Sequence, residues 1–357
     1  MDGVDAALVR LDEHHCKIVA ARTWPYSAEL RSTLLRLSRN PAKCTVDDMG
    51  HLDHWVAETF RDAALAVLAQ AAVKADEITA IGSHGQTLRH QPRASRPFTT
   101  QLGDPNIIAA GTGITTVADF RRRDIADGGE GAPLTPAFHA WAFSGPNTRA
   151  VLNIGGFANL TILPGTGNGA SGFDTGPGNS LMDGWNLEHR GTDYDESGAW
   201  ASSGEIVESL LEKMLSDDYF ARQPPKSTGF EYFDNAWLRR QLSGHPDLPA
   251  EQVQATLCEL TARSAAEAIA AHAPDANEVL LCGGGVHNLQ LVKRLQANLP
   301  GHLVSSTAKM GIEPDWIEAA AFAWLAARRL AGLPGNLPSV TGARKPAVLG
   351  GIFSGRS

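Results

Sequence analysis

The stretch RAVLNIGGFANLTILP, residues 149–164, places two apolar segments on either side of a glycine pair. That pattern predicts two strands folded back on one another around a Gly155-Gly156 turn, a hairpin near the start of a domain. The chain begins in the same way. In MDGVDAALVRLD (1–12), Val4 to Leu11 reads as a strand with apolar residues on both faces, preceded by Asp2-Gly3, a turn-forming pair with a carboxylate. Lys17 to Trp24 reads as its antiparallel partner across a polar turn at Asp12–His15. Helices and strands then alternate after each hairpin. Two hairpin-first halves predict two related α/β domains, and 357 residues are too many for one comfortable core.

Composition narrows the class. Apolar residues make up 43% and charged residues 20%, the balance of a soluble globular enzyme. A formal net charge of −8 offers no electrostatic case for nucleic acid or an anionic membrane surface. The densest basic run, DFRRRD (119–124), has an aspartate at each end and reads as a local ion-paired or ligand-facing cluster. Four scattered cysteines without a CxxC pair argue against a zinc ribbon or a disulfide framework and for a reducing cytoplasm. DEHHCK (12–17) reads as a surface turn rather than a metal site, because neighbours on an extended segment point to opposite faces. No signal-type core opens the chain, and no apolar run is long enough to span a membrane.

Further along, Leu52, Val56, Phe60, Ala64 and Val67 mark one face of a helix within 52–75. ITAIGSHGQT (78–87) and GITTVADF (113–120) read as strands, the first running into a glycine loop and the second ending at Arg121–Arg123. DGGEGAP (127–133) is turn-rich and is the expected boundary or hinge. Helices are predicted over 206–215, 254–272 and 315–332, the last closed by Gly332. EVLLCGGGVHNLQLVKRLQANL (278–299) is a buried strand, three glycines and a helix capped by Asn288.

Chemistry-bearing residues gather at the glycine turns. At Gly155-Gly156, backbone N–H groups can approach phosphate oxygens that a Cβ would obstruct. Gly283–Gly285 link a strand end to a helix N-terminus, a usual seat for an anion or a flat ring. Each turn alone reads more readily as a plain turn; the combination is what points to a nucleotide. In GFDTGPGN (172–179), Asp174 stands beside a rigid, open loop of Gly176, Pro177 and Gly178, which presents a carboxylate suited to general-base work. PPKSTG (224–229) carries the Lys-Ser pair of a phosphate loop but lacks its glycine cradle, and GTGNGASG (165–172) reads as a surface turn.

IGSHGQT, VADFRRRDIA, GGEGAPLTPAFH, VLNIGGFANLT, GFDTGPGN, PPKSTG, CGGGVHN and the closing TGA, in that order, resemble the bacterial anhydro-N-acetylmuramic acid kinases along essentially the whole chain. The resemblance implies a two-domain α/β ATPase fold of the actin/hexokinase/Hsp70 type with its active site in the cleft between domains. It implies residues 1–126, completed by 345–357, as one domain and 127–344 as the other. The implied reaction uses ATP, with Mg²⁺, and water to open 1,6-anhydro-N-acetylmuramic acid to N-acetylmuramic acid 6-phosphate in cell-wall recycling. Asp174 becomes the base that activates water. Asn153, Gly155, Gly156 and Asn159 become the phosphate hairpin, and Gly283, Gly284, Gly285 and Asn288 the adenosine side. His84, Gln86, Arg122 and Asp124 are expected to face the sugar, whose lactyl carboxylate suits an arginine; His84 reads equally as a satisfied core histidine. A cytoplasmic homodimer, without nucleic-acid or membrane partners, completes the expectation. The metal ligands stay open.

Members of that family open with a strand and a loop of the form S-G-T-S-x-D-G. MDGVDAAL matches only the tail of that pattern, which assigns Asp2, Gly3 and Asp5 to the ATP side. The expectation is therefore a chain begun at an internal methionine. The missing strand would be the middle one of a five-stranded sheet, between Val4–Leu11 and the strand leading to SHGQT. The rival reading is a non-catalytic nucleotide- or muropeptide-binding relative that lost its first phosphate loop.

Overall fold

A computed structural model describes residues 3–13, 15–165 and 169–355. The chain divides into two compact units, Met1–Ala142 with Trp316–Ser357, and Phe143–Asp315.

In the first unit the opening hairpin forms as predicted: β1 (Gly3–Leu11) pairs antiparallel with β2 (Cys16–Pro25). The turn between them is a surface turn, with His15 donating its backbone N–H to Asp12 Oδ1 at 2.9 Å. The strand foreseen within 78–87 shortens to β3 (Ile81–Gly82), and Gln86 instead opens a second hairpin of β4 (Gln86–Gln91) and β5 (Phe98–Leu102). β6 (Thr116–Ala118) runs parallel to β3 and antiparallel to the closing strand Gly351–Phe353. The helix Val46–Ala71 begins six residues before its apolar stripe (52 − 46), because Thr45 and Asp48 cap each other's backbone N–H groups. It packs on β1, β2 and β5, burying Leu52 and Val56 against Leu30 and Leu34 of the helix Ala28–Arg39. The helix Ile317–Leu330 touches β1, β3 and β6. Between β1, the 77–87 segment and this last helix lies a cavity of about 770 Å³, lined by Ala7, Val9, Ile81, Ser83, Glu318 and Phe322 among others.

The unit boundaries fall at 142/143 and 315/316 rather than at the expected 126/127 and 344/345. Two contacts explain the shift. Trp141, on the helix Thr135–Phe143, donates its indole N–H to the Glu13 carbonyl at 3.0 Å and stacks 6.0 Å from Trp324, so this helix belongs with the opening hairpin. The glycine-rich 127–133 segment is no boundary either: Gly129 N–H meets the Asp124 carbonyl and Gly131 N–H its Oδ2, wrapping the backbone around one carboxylate.

The second unit is built on one sheet, in the order β11 (Leu303–Ser306), β10 (Glu278–Cys282), β7 (Arg149–Ile154), β8 (Phe157–Leu163) and β9 (Ser171–Pro177). β11, β10 and β7 are parallel; β8 and β9 continue the sheet antiparallel. Its core joins Leu152, Ile154 and Phe173 from the sheet to Tyr219 and Trp237 from the following helices and Phe233 from the bend between them. Each such large side chain contributes roughly 1.5–3 kcal/mol by leaving water. The predicted 165–172 turn lies partly outside the described residues.

Candidate active site

The register of the second sheet lines up the polar residues of its motifs. Cys282 faces Asn153, Asn153 faces Asn159, and Asn159 faces Asp174. Directly opposed residues share a face, so Asn153, Asn159 and Asp174 form one row across three strands. Because β7 and β10 are parallel, the Gly155-Gly156 turn and the Gly283–Gly285 turn leave the sheet at the same edge. That edge is where ligands of α/β sheets settle.

Close backbone approach explains the second glycine turn. Gly283 has φ +77°, and a Cβ there would stand 2.5 Å from Asn153 Oδ1 and 2.8 Å from the Ile154 carbonyl. A Cβ on Gly285 would run into Ile154, whereas one on Gly284 would meet nothing within 4 Å. Asn288, expected on the adenosine side, spends Oδ1 on the Leu291 N–H at 3.0 Å as the cap of the helix Leu289–Asn298. At the first turn, the Gly155 carbonyl accepts the Asn179 N–H at 2.8 Å, and the Gly156 carbonyl accepts those of Gly178 and Ser180. This ties the start of the helix Ser180–Arg190 to the hairpin. Asn159 Oδ1 and Ser180 Oγ, both beside this turn, are buried without a hydrogen-bond partner. Such atoms each cost about 1–3 kcal/mol, which a ligand's polar groups would recover.

Asp174 sits on a strand, not in a loop. β9 pairs with β8 until a bulge at this point: Asn159 opposes Asp174 while Ala158 opposes Gly176, leaving Thr175 between. Bulges re-aim side chains and recur beside active sites. Contacts from the 219–228 stretch hold the residue. Its N–H donates to the Lys226 carbonyl at 3.0 Å, its carbonyl accepts the Tyr219 hydroxyl at 2.7 Å, and its Oδ2 accepts the Thr228 N–H at 2.9 Å. PPKSTG reads locally as an incomplete phosphate loop, and nothing local to Tyr219 marks it; both reach Asp174 only through folding.

In the first unit the sugar-facing candidates divide. Arg121 Nε donates to His84 Nε2 at 2.9 Å, and His84 also stacks 4.5 Å from Phe322. Burial first, then the Arg121 charge, hold His84 well below the usual imidazole range, so its ring is neutral and accepts. Gln86 Oε1 accepts the Tyr26 hydroxyl at 3.1 Å. The three arginines go three ways: Arg121 to His84, Arg122 to Asp119 at 3.6 Å, Arg123 to Asp127 at 2.9 Å. Asp124, expected to face the sugar, is held in an internal clasp. It has no exposed surface, and it accepts from Asn336 at 2.6 Å, Thr341 at 2.8 Å and Gly131 at 2.8 Å. On the expected ATP side, Asp5 Oδ1 accepts the Thr23 hydroxyl at 2.6 Å, and Gly3 lies so close to the Trp24 carbonyl that a Cβ would collide with it. Asp2 lies outside the described residues. All four cysteines are free thiols, and among the described residues no helix is long and apolar enough to cross a membrane.

The anhydro-N-acetylmuramic acid kinase of Xanthomonas campestris pv. campestris (strain 8004) is 51% identical over 356 residues, 99% of this chain and 94% of the relative. That of Coxiella burnetii (strain Dugway 5J108-111) is 50% identical over 357 residues, 99% of this chain and 95% of the relative. Among solved structures, the (R)-2-hydroxyglutaryl-CoA dehydratase component A of Acidaminococcus fermentans aligns over 89% of this chain and 93% of its own at 13% identity. Its TM-score of 0.41 is too low to argue from. The family model described as "Anhydro-N-acetylmuramic acid kinase" matches residues 1–355, and with relatives at half identity along its whole length the chain belongs to that family.

Proposed function

We propose that this chain uses ATP and water to open 1,6-anhydro-N-acetylmuramic acid and release N-acetylmuramic acid 6-phosphate, a step of peptidoglycan recycling. The observation that carries this reading is the alignment of Asp174 with Asn153 and Asn159 at the sheet edge where both glycine turns emerge. Asp174 takes a proton from water as the water oxygen bonds to the anomeric carbon. The bond from that carbon to O6 breaks, and O6 takes the γ-phosphoryl group, leaving ADP. The Gly155-Gly156 hairpin positions the phosphates and the Gly283–Gly285 turn takes the adenosine side, since phosphoryl transfer needs chiefly positioning and charge neutralisation.

Arg122 is the arginine assigned to the lactyl carboxylate. It is exposed and its ion pair with Asp119 is long, whereas Arg121 and Arg123 are committed at 2.9 Å. Neutral His84 fits a ring hydroxyl. Mg²⁺ is usually held by one or two carboxylates plus the nucleotide's phosphates, and among the described residues no group of three or more His, Cys, Asp or Glu converges, which fits a metal arriving with ATP. Bound there, it supplies neutralisation of phosphate charge. A cytoplasmic location and a homodimer belong to the same reading; fractionation and light scattering test them.

Turnover in ¹⁸O-labelled water tests the reaction. Label belongs at C1 of the sugar and not in its phosphate. Label in phosphate instead means plain ATP hydrolysis and removes the coupled mechanism, while a non-catalytic relative yields no product at all.

A further inference from the structure

PPKSTG (224–229) is the motif to which the proposed reaction assigns no work. Its Lys-Ser pair imitates a phosphate loop, but its lysine is turned inward. Lys226 Nζ donates to the carbonyls of Tyr219 at 3.3 Å and Phe220 at 3.2 Å, in the short helix Asp218–Ala221. It also lies 4.9 Å from the ring centre of Tyr219 and 5.8 Å from that of Phe173. Burial, with the nearby Arg222 charge, pushes its ammonium below the usual lysine range. The backbone on either side then grips one residue: the Lys226 carbonyl takes the Asp174 N–H, and the Thr228 N–H meets Asp174 Oδ2. Tyr219, fully buried against Phe233, closes the ring of contacts through its hydroxyl on the Asp174 carbonyl.

We propose that Lys226 is a positioning residue for the Asp174 carboxylate: its ammonium pins the 226–228 segment to the Tyr219–Phe220 carbonyls, so that the Thr228 N–H aims Oδ2. The proposal rests on the reading of Asp174 as the base. In this role Lys226 acts on the 226–228 backbone and not on phosphate or sugar. Its effect passes through a backbone donor, which favours the ionised carboxylate and fixes its direction.

The test compares Lys226→Met, Lys226→Arg, Asp174→Asn and the Lys226→Met/Asp174→Asn double variant in steady-state kinetics. Misplacing a base costs roughly ten- to a hundredfold in kcat, so Lys226→Met loses that much while KM for ATP and for the anhydro sugar stays within about threefold. Lys226→Arg recovers part of the loss. The acid limb of the kcat/KM profile moves to higher pH in Lys226→Met, a change that general loosening does not produce. In the double variant the loss is no greater than in Asp174→Asn alone, because both act through one group. A raised ATP KM with kcat retained makes Lys226 a phosphate ligand and overturns the proposal, as do losses that multiply. Near-normal turnover in Asp174→Asn removes the base reading itself, whereas an inactive Asp174→Asn beside a normal Lys226→Met removes only the positioning role. Should Lys226→Met fail to fold, Tyr219→Phe probes the same ring of contacts by deleting one hydroxyl, and unchanged kcat there overturns the proposal.

Discussion

At Asp174 a strand, a bulge and a loop from 54 residues further on meet in one carboxylate. Replacing it by Asn keeps the size and one acceptor oxygen while removing the basic one. Turnover is expected to fall by a factor of roughly 10² to 10⁴, as for other lost general bases, with ATP binding intact by calorimetry; near-normal turnover removes the role. The Gly283–Gly285 turn allows a sharper contrast. Gly283→Ala forces a Cβ into Asn153 and Ile154 at φ +77° and ψ 171°, and that essentially glycine-only backbone alone costs about 1–3 kcal/mol. Its melting temperature should drop by several degrees. Gly284→Ala meets nothing in the protein, so its melting temperature should hold. If Gly284 is small in order to admit a nucleotide, ATP affinity falls in that variant alone, and equal ATP affinity in Gly284→Ala and wild type removes Gly284 from the site. The glycines were legible as residues to notice; their separate jobs were not, because the atoms that crowd Gly283 come from a strand 130 residues earlier (283 − 153).

Elements with strong local signals formed where the chain announced them: the two hairpins, the Asn288-capped helix and the small-residue helix of the C-terminal region. β9 did not, since Gly172, Gly176 and Pro177 are turn residues by composition. It is nonetheless an edge strand, where a terminal proline does little harm. The helix Ala250–His272 carries another feature hidden from local reading, the fully buried Glu259. Burial alone raises such a carboxyl, but the Arg294 guanidinium and the Asn298 amide, at 2.5 and 2.9 Å, together with Arg263, hold it below the usual carboxylate range. Arg294→Met strands this charge and is expected to cost about 3 kcal/mol in urea unfolding at pH 7. A depressed carboxyl stabilises above its unfolded value near 4.5 and loses that contribution as pH falls. The gap between variant and wild type should therefore shrink below that pH, and a gap that persists at pH 3 contradicts the buried-pair account.

For the whole molecule, the two units carry different acid sensitivities. The first holds three histidines kept neutral: His139, which burial pushes down to about 3; His90, brought to about 4 by burial and Arg121; and His84, well below the ordinary 6.5. A depressed histidine leaves the unfolded chain binding the extra proton, so stability falls as pH drops below about 6.5, by up to about 1.4 kcal/mol per unit for each. Acidification from pH 7 to 5 should therefore open peptides of the first unit before those of residues 143–315, as read by hydrogen exchange; the reverse order, or a flat melting temperature, contradicts it. The sequence alone determined the family, the α/β alternation, the paired hairpins and the residues worth testing, because these rest on periodicity, turn chemistry and motif order within short windows. Only the tertiary structure decided that Asp124 is buried in a clasp of Asn336, Thr341 and Gly131, that the three adjacent arginines serve three partners, and that 127–142 belongs with the first unit. It also decided that the lysine in a phosphate-loop imitation turns inward onto the Tyr219 and Phe220 carbonyls. Each of these depends on groups brought together by folding, and a side chain's role follows from which partners satisfy its charge and hydrogen bonds, which no local window contains.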